Sequence, residues 1–116
     1  MDNKTERGTS AETVAADLLS AAGYRIVERN FRSKAGELDI IARDGDVLVF
    51  VEVRSRSDDE HGTAPEMIQR TKQRRVIRVA RCYLEAVAPD FDECRFDIVG
   101  ITAEESILLR DAFRVP

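Results

Sequence analysis

Four side chains in one short stretch, "GELDIIARDGDVLVFVEVRSR" (residues 36 to 56), could share one chemistry: Glu37, Asp39, Glu52 and Arg54. Converging carboxylates can hold a hard divalent cation. Mg²⁺ prefers oxygen ligands and commonly takes one or two carboxylates, with water and a substrate phosphate completing its shell. Mn²⁺ accepts the same oxygen donors. A guanidinium beside such a pair can grip a phosphate through charge-assisted hydrogen bonds. The single histidine, His61, lies in a polar loop without zinc-ligand spacing and reads as a bystander. Cys82 and Cys94 lack C-x-x-C spacing and read as reduced thiols.

The elements that must position these groups follow from periodicity. "LDIIAR" and "DVLVFVEV" are β-rich runs joined by Asp44-Gly45, a two-residue hairpin signal. That turn predicts Arg43 opposite Asp46, Asp39 opposite Phe50 and Glu37 opposite Glu52, with Asp39 diagonal to Glu52. Alternation then places Leu38, Ile40, Ala42, Val47, Val49, Val51 and Val53 on one apolar face. The other face carries Glu37, Asp39, Ile41, Leu48, Phe50, Glu52 and Arg54, apolar near the turn and charged at the far end. Facing carboxylates repel unless a cation balances them. Arg54 could be that cation on a solvated face, or a divalent metal could.

Residues 1 to 8 read as a flexible tail. Thr9-x-x-Glu12 resembles a capping box, and a helix is expected over about 10 to 22. A strand follows at 24 to 33, then the hairpin, then a loop at 55 to 64 that should border the charged end. Thr63-x-x-Glu66 and Pro65 open a helix expected over 65 to 87, with Met67, Val76, Val79, Ala80, Tyr83, Leu84 and Val87 as its apolar stripe. Strands are expected at 93 to 102 and 106 to 113. The order α-β-β-β-α-β-β predicts an α/β domain, a mixed sheet flanked by helices, spanning residues 1 to 116 as one unit.

Charge adds a second theme. The chain carries a net charge of −4, yet "RTKQRRVIRVAR" (70 to 81) holds no acid. Arg70, Arg74, Arg78 and Arg81 recur at helical spacing, with Lys72 and Arg75 to the sides. Such a stripe can follow a phosphate backbone. It can equally be a solvated face paired with "SDDE" (57 to 60) or "PDFDE" (89 to 93). Few aromatics argue against base stacking as the main mode of contact. No apolar run is long enough for a membrane span and the N-terminal residues carry no apolar leader, so a cytoplasmic protein is expected.

The stretch quoted above, with "TKQRR" (71 to 75), "CRFDIV" (94 to 99) and "DAF" (111 to 113), resembles the YraN family of small bacterial proteins from about residue 8 onward. That family is similar to the restriction-endonuclease-like nucleases with a D…(D/E)xK signature, and among them to archaeal Holliday-junction resolvases. The resemblance implies a restriction-endonuclease-like core. It implies Asp39 as the first acid of the signature and Glu52-Val53-Arg54 as its (D/E)xK, with Glu12 as an additional acid on helix one. It also implies Mg²⁺ or Mn²⁺ held by Asp39, Glu52 and the Val53 carbonyl, with Glu37 through water. The partner implied is nucleic acid, in the first place DNA, contacted by Lys72 with Arg70, Arg74, Arg75 and Arg78. Related resolvases pair, so a homodimer is an option. Arg54 stands where the signature has lysine; it can hold a phosphate but cannot act as a base. Three readings stay open: a metal-dependent nuclease for structured DNA, a nucleic-acid-binding module with the same fold and little catalysis, and a structural or partner-binding domain whose acids are salt-bridged.

Overall fold

A computed structural model describes residues 3–55 and 69–115. The elements are α1 (Asn3–Ala21), β1 (Arg25–Ser33), β2 (Gly36–Asp44), β3 (Val47–Ser55), α2 (Arg70–Val87), β4 (Glu93–Ile101) and β5 (Ser106–Phe113). The α-β-β-β-α-β-β order expected from the sequence is the one observed. The loop with His61, "SDDE" and the Thr63–Glu66 capping box lie outside the described residues.

The sheet runs β1-β2-β3-β4-β5. Neighbours are antiparallel except β3 and β4, which are parallel. Parallel neighbours need a crossover, and α2 supplies it. Each sheet face carries its own core. Leu48, Phe50, Phe96 and Ile98 pack with Val76, Ile77, Val79, Ala80 and Tyr83 of α2. Val49, Val51 and Val99 pack with Ala15 and Leu19 of α1. The hairpin face expected to be half solvated is therefore covered: Ile41, Leu48 and Phe50 lie under α2, almost fully buried. A ladder of rings, Phe31–Tyr83–Phe50–Phe96–Phe113, ties that core together at centroid separations of 4.9 to 6.0 Å.

Four local expectations are corrected. α1 begins at Asn3, so residues 3 to 8 are helix rather than tail, and Thr9 lies inside it. Polar residues are compatible with a helix, and Gly8 alone costs only about 1 kcal/mol against alanine. α2 begins at Arg70, not 65, with Gln69 as an N-cap residue that makes no side-chain capping bond. On α2, Ile77 is buried while Val87, expected in the stripe, is 48% exposed at the last position, just before the left-handed cap Ala88. The hairpin turn is Gly45–Asp46, not Asp44–Gly45: Asp44 pairs with Val47 and Arg43 with Leu48. Gly45 has φ +62° and takes the first central position, which a type II′ turn reserves for glycine. The whole register moves by two residues, so side chains keep their faces but change partners.

One break in alternation matters for the site. Ile40 and Ala42 belong to the α1-side core, yet Leu38 packs with Ile41 in the α2-side core. Leu38 is thus not on the Ile40 face as alternation predicts. The pleat slips between them, at Asp39. On β1 the residue level with Asp39 is Asn30, between the pairs Arg29↔Ile40 and Phe31↔Leu38, and its φ is +56°.

Candidate functional site

The site grows out of the register shift. The last β2–β3 pair at the far end of the hairpin is Ile40↔Val51. One more step brings Asp39, not Glu37, level with Glu52. There the Asp39 carboxylate itself accepts the Val53 N–H, Oδ2 lying 2.8 Å from the nitrogen. A side chain thereby stands in for main chain, fixing the Val53 peptide against the acid.

Glu52 is 3% exposed, at the end of the α2-side core. Its carboxyl shares a hydrogen bond with Asp39. Its pKa is pushed up to about 8, first by burial, then by the Asp39 charge and the hydrogen bond with Asp39; Lys72 and Arg54 pull the other way. Burial also raises Asp39, against the Val53 N–H, the Glu52 bond and Lys72. Two buried carboxyls sharing one proton can exchange that proton for a cation. Lys72 reaches in from the first turns of α2, Nζ lying 3.9 Å from Glu52 Oε2, beyond hydrogen-bond length. Two buried atoms here have no hydrogen-bond partner among the described residues: Glu52 Oε1 and Arg54 Nε. One asks for a cation or donor, the other for an acceptor.

These donors fit Mg²⁺ or Mn²⁺ as a two-carboxylate site, the arrangement in which such ions retain water and phosphate ligands. No group of three or more acid, histidine or cysteine side chains converges on one ion-sized point among the described residues. Glu37 is the clearest departure from expectation. It pairs across the strand with Arg32, 3.6 Å away, with its side chain half exposed, and does not face Glu52. Its charge still raises Asp39, behind the opposing charge of Lys72 in size.

Glu12 is brought toward Asp39 by α1. Burial raises its pKa first and the Asp39 charge second. Because Thr9 and Glu12 both lie inside α1, Glu12 does not close a capping box. Its carboxylate is held instead by the Asn30 amide, whose nitrogen lies 2.5 and 3.2 Å from Oε1 and Oε2 in the orientation that satisfies both groups. Sequence reading passed over Asn30 as an ordinary strand residue; an asparagine inside a β-rich run was the available signal.

The basic face of α2 is as expected. Arg70, Arg74, Arg75, Arg78 and Arg81 are exposed, and no ion pair joins them to "PDFDE" or to any other described residue. A concavity of about 220 Å³ beside the start of α2 is lined by Arg70, Gln73, Arg74, Ile77 and Arg114. Arg114 was not anticipated. A larger one, about 370 Å³, lies along β4 and the last residues from Glu93 to Val115. Neither is lined by Asp39 or Glu52.

The "CRFDIV" motif does something else. Asp97, 1% exposed, accepts from Tyr24 Oη at 2.6 Å, from Arg95 at 2.9 and 3.0 Å, and from the Asp111 N–H at 2.9 Å. Arg95 also reaches Asp44 at 2.9 Å, at the turn end of the hairpin. Arg110 and Arg95 both lie against the Tyr24 ring. Tyr24 is pushed up to about 12, chiefly by burial and by its bond to Asp97. The cluster clasps β1, β2, β4 and β5 on the sheet face opposite Glu52, Asp97 lying level with Val51.

Comparison with known proteins agrees with the resemblance drawn from the motifs. Residues 11–101, from just before Glu12 to the end of β4, match the profile of an uncharacterised protein family, UPF0102. A UPF0102 protein of Dechloromonas aromatica is 48% identical over 112 residues, 97% of this chain and 92% of that protein. One from Symbiobacterium thermophilum is 47% identical over 94 residues, 81% of this chain and 80% of its own length. Another, from Lachnoclostridium phytofermentans, is 45% identical over 112 residues, 96% and 95% of the two chains.

Proposed function

The chain belongs to the uncharacterised protein family UPF0102, and for this member we propose a divalent-cation-dependent nuclease acting on structured DNA. The observation that carries the reading is the pair of unpartnered buried atoms, Glu52 Oε1 and Arg54 Nε, beside an Asp39 carboxylate fixed by the Val53 N–H. A carboxylate oxygen awaiting a cation next to a guanidinium awaiting an anion is what phosphodiester hydrolysis requires.

Mg²⁺ or Mn²⁺ held by Asp39 and Glu52 would supply Lewis acidity toward water and phosphate. The protein's own groups do the rest. Glu52 must release its shared proton before it can ligate, and Lys72 favours the ionised form from 3.9 Å. The bond from the Val53 N–H keeps Asp39 aimed along the strand end. Arg54 cannot take a proton from water, so its part is to hold a non-bridging phosphate oxygen and offset charge as it develops. Glu12 adds negative potential beside Asp39 and favours a cation there. The exposed arginines of α2, with the Arg70–Arg74–Arg114 concavity, support a phosphate track leading away from the site.

Arg54 in place of the signature lysine favours a second reading, in which the same surface binds DNA with little hydrolysis. A panel of branched, flapped, nicked and single-stranded DNA, with Mg²⁺ or Mn²⁺, separates the two. Cleavage abolished by Asp39→Asn and Glu52→Gln supports the nuclease. Salt-sensitive binding that survives those changes without cleavage supports the binding module. In either case Lys72→Ala should lower the salt dependence by about one phosphate contact. Neither cleavage nor salt-sensitive binding on any substrate overturns both readings.

A further inference from the structure

We propose that Asn30 is a positioning residue that holds the Glu12 carboxylate beside Asp39 and so completes the acidic side of the cation site. The inference rests on the nuclease reading for the identity of that site. Its own basis is the backbone. Asn30 sits in the middle of β1 with φ +56°, a left-handed conformation that L-residues adopt at a cost and asparagine tolerates better than most. It lies level with Asp39 on β2, at the place where the pleat slips and Leu38 crosses to the α2-side core. A slip of this kind re-aims side chains out of simple alternation. On β2 it turns Asp39 to the Val53 N–H and to Glu52. On β1 it turns the Asn30 amide to α1, where it donates to both oxygens of Glu12.

The chemistry of the contact is specific. An amide donor bound to both oxygens fixes a carboxylate without neutralising it, which an arginine would do. Glu12 thus keeps its charge near Asp39, where burial and the Asp39 charge both work against that charge. An exposed asparagine on an edge strand has no packing role that would otherwise keep it there. Outer partners of this kind set the orientation of metal-site groups, and their loss commonly weakens metal binding by about 10- to 100-fold.

Asn30→Gly is the informative variant, because glycine accepts the left-handed backbone and only the amide is lost. Mn²⁺ titration by calorimetry should show an affinity about 10-fold weaker than wild type. Glu12→Gln should lose about as much, and the double variant no more than either alone. Chemical denaturation in chelator supplies a readout independent of metal: the two substitutions should again be non-additive. Asn30→Asp with Glu12→Gln reverses donor and acceptor; it should recover stability but not Mn²⁺ affinity. Wild-type affinity in Asn30→Gly, or additive losses in either measurement, overturns the positioning role while leaving the metal site intact. Absence of Mn²⁺ binding by the wild type itself instead overturns the nuclease reading, and the positioning role with it.

Discussion

Glu52→Gln, in protein freed of divalent ions, should behave in a way that distinguishes a shared proton from an ordinary ion pair. Folded Glu52 titrates near pH 8, against 4.5 for the free side chain. Between those values the folded state holds a proton that the unfolded state has released. The unfolded state therefore binds fewer protons, and stability falls as pH rises. The contribution is fully present below about pH 4.5 and is lost progressively as pH climbs to about 8, where it levels off. Each unit is worth about 1.4 kcal/mol. The wild type should thus lose about 2 kcal/mol by pH 6 and about 4 kcal/mol by pH 8, relative to its acid plateau. Glutamine does not titrate, and its amide can donate to Asp39 as the protonated carboxyl does. The variant escapes the loss, so its advantage should widen with pH, reaching on the order of 10 °C in Tm at pH 8. Urea denaturation from pH 5 to 9 in chelator measures this directly. Parallel curves for the two proteins, or a variant weakened equally at every pH, would refute a proton-sharing pair. Added Mn²⁺ should restore wild-type stability and leave the variant unmoved.

Two further outcomes concern the scaffold. Asp97→Ala should cost about 3 to 5 kcal/mol in equilibrium denaturation, because Arg95 loses its buried partner and the Tyr24 hydroxyl loses an acceptor; a change under about 1 kcal/mol would mean that the clasp is dispensable. Gly36→Ala should cost about 1 to 3 kcal/mol by the same measurement, since the residue has φ +138° and an added Cβ would lie 3.4 Å from Val79 Cγ2; a neutral result would mean that the β1–β2 turn relaxes freely.

Periodicity carried the sequence reading a long way, for physical reasons that can be named. The alternation of "DVLVFVEV" and the 3.6-residue recurrence of Val76, Val79, Ala80 and Tyr83 report burial directly, so the seven elements and their order were legible. Asp39 and Glu52 are neighbours in either register, diagonal in the expected one and level in the observed one, because a shift by two preserves faces. What failed was whatever depends on which partner lies opposite. Asp44-Gly45 and Gly45-Asp46 are both plausible turns, and the pairing of Asp44 with Val47 decides between them. An Asp44-Gly45 turn sets Glu37 opposite Glu52, whereas the observed register sets Asp39 there. The slip at Asn30 and Asp39 is invisible to any reading that assumes a strict period of two. Polar residues 3 to 8 read as a tail because propensity alone is a weak prior for a helix. The clasp around Asp97 could not be read from "CRFDIV", since its partners Tyr24, Asp44 and Asp111 are far away in the chain.

The claim that Asp39 and Glu52 form a divalent-cation site is tested most directly by calorimetric titration of Mn²⁺ at pH 8, near the raised pKa of Glu52, with Asp39→Asn alongside. Saturable uptake of one ion per chain is expected for the wild type and none for the variant. Equal heats from the two proteins, or none from the wild type, would contradict it.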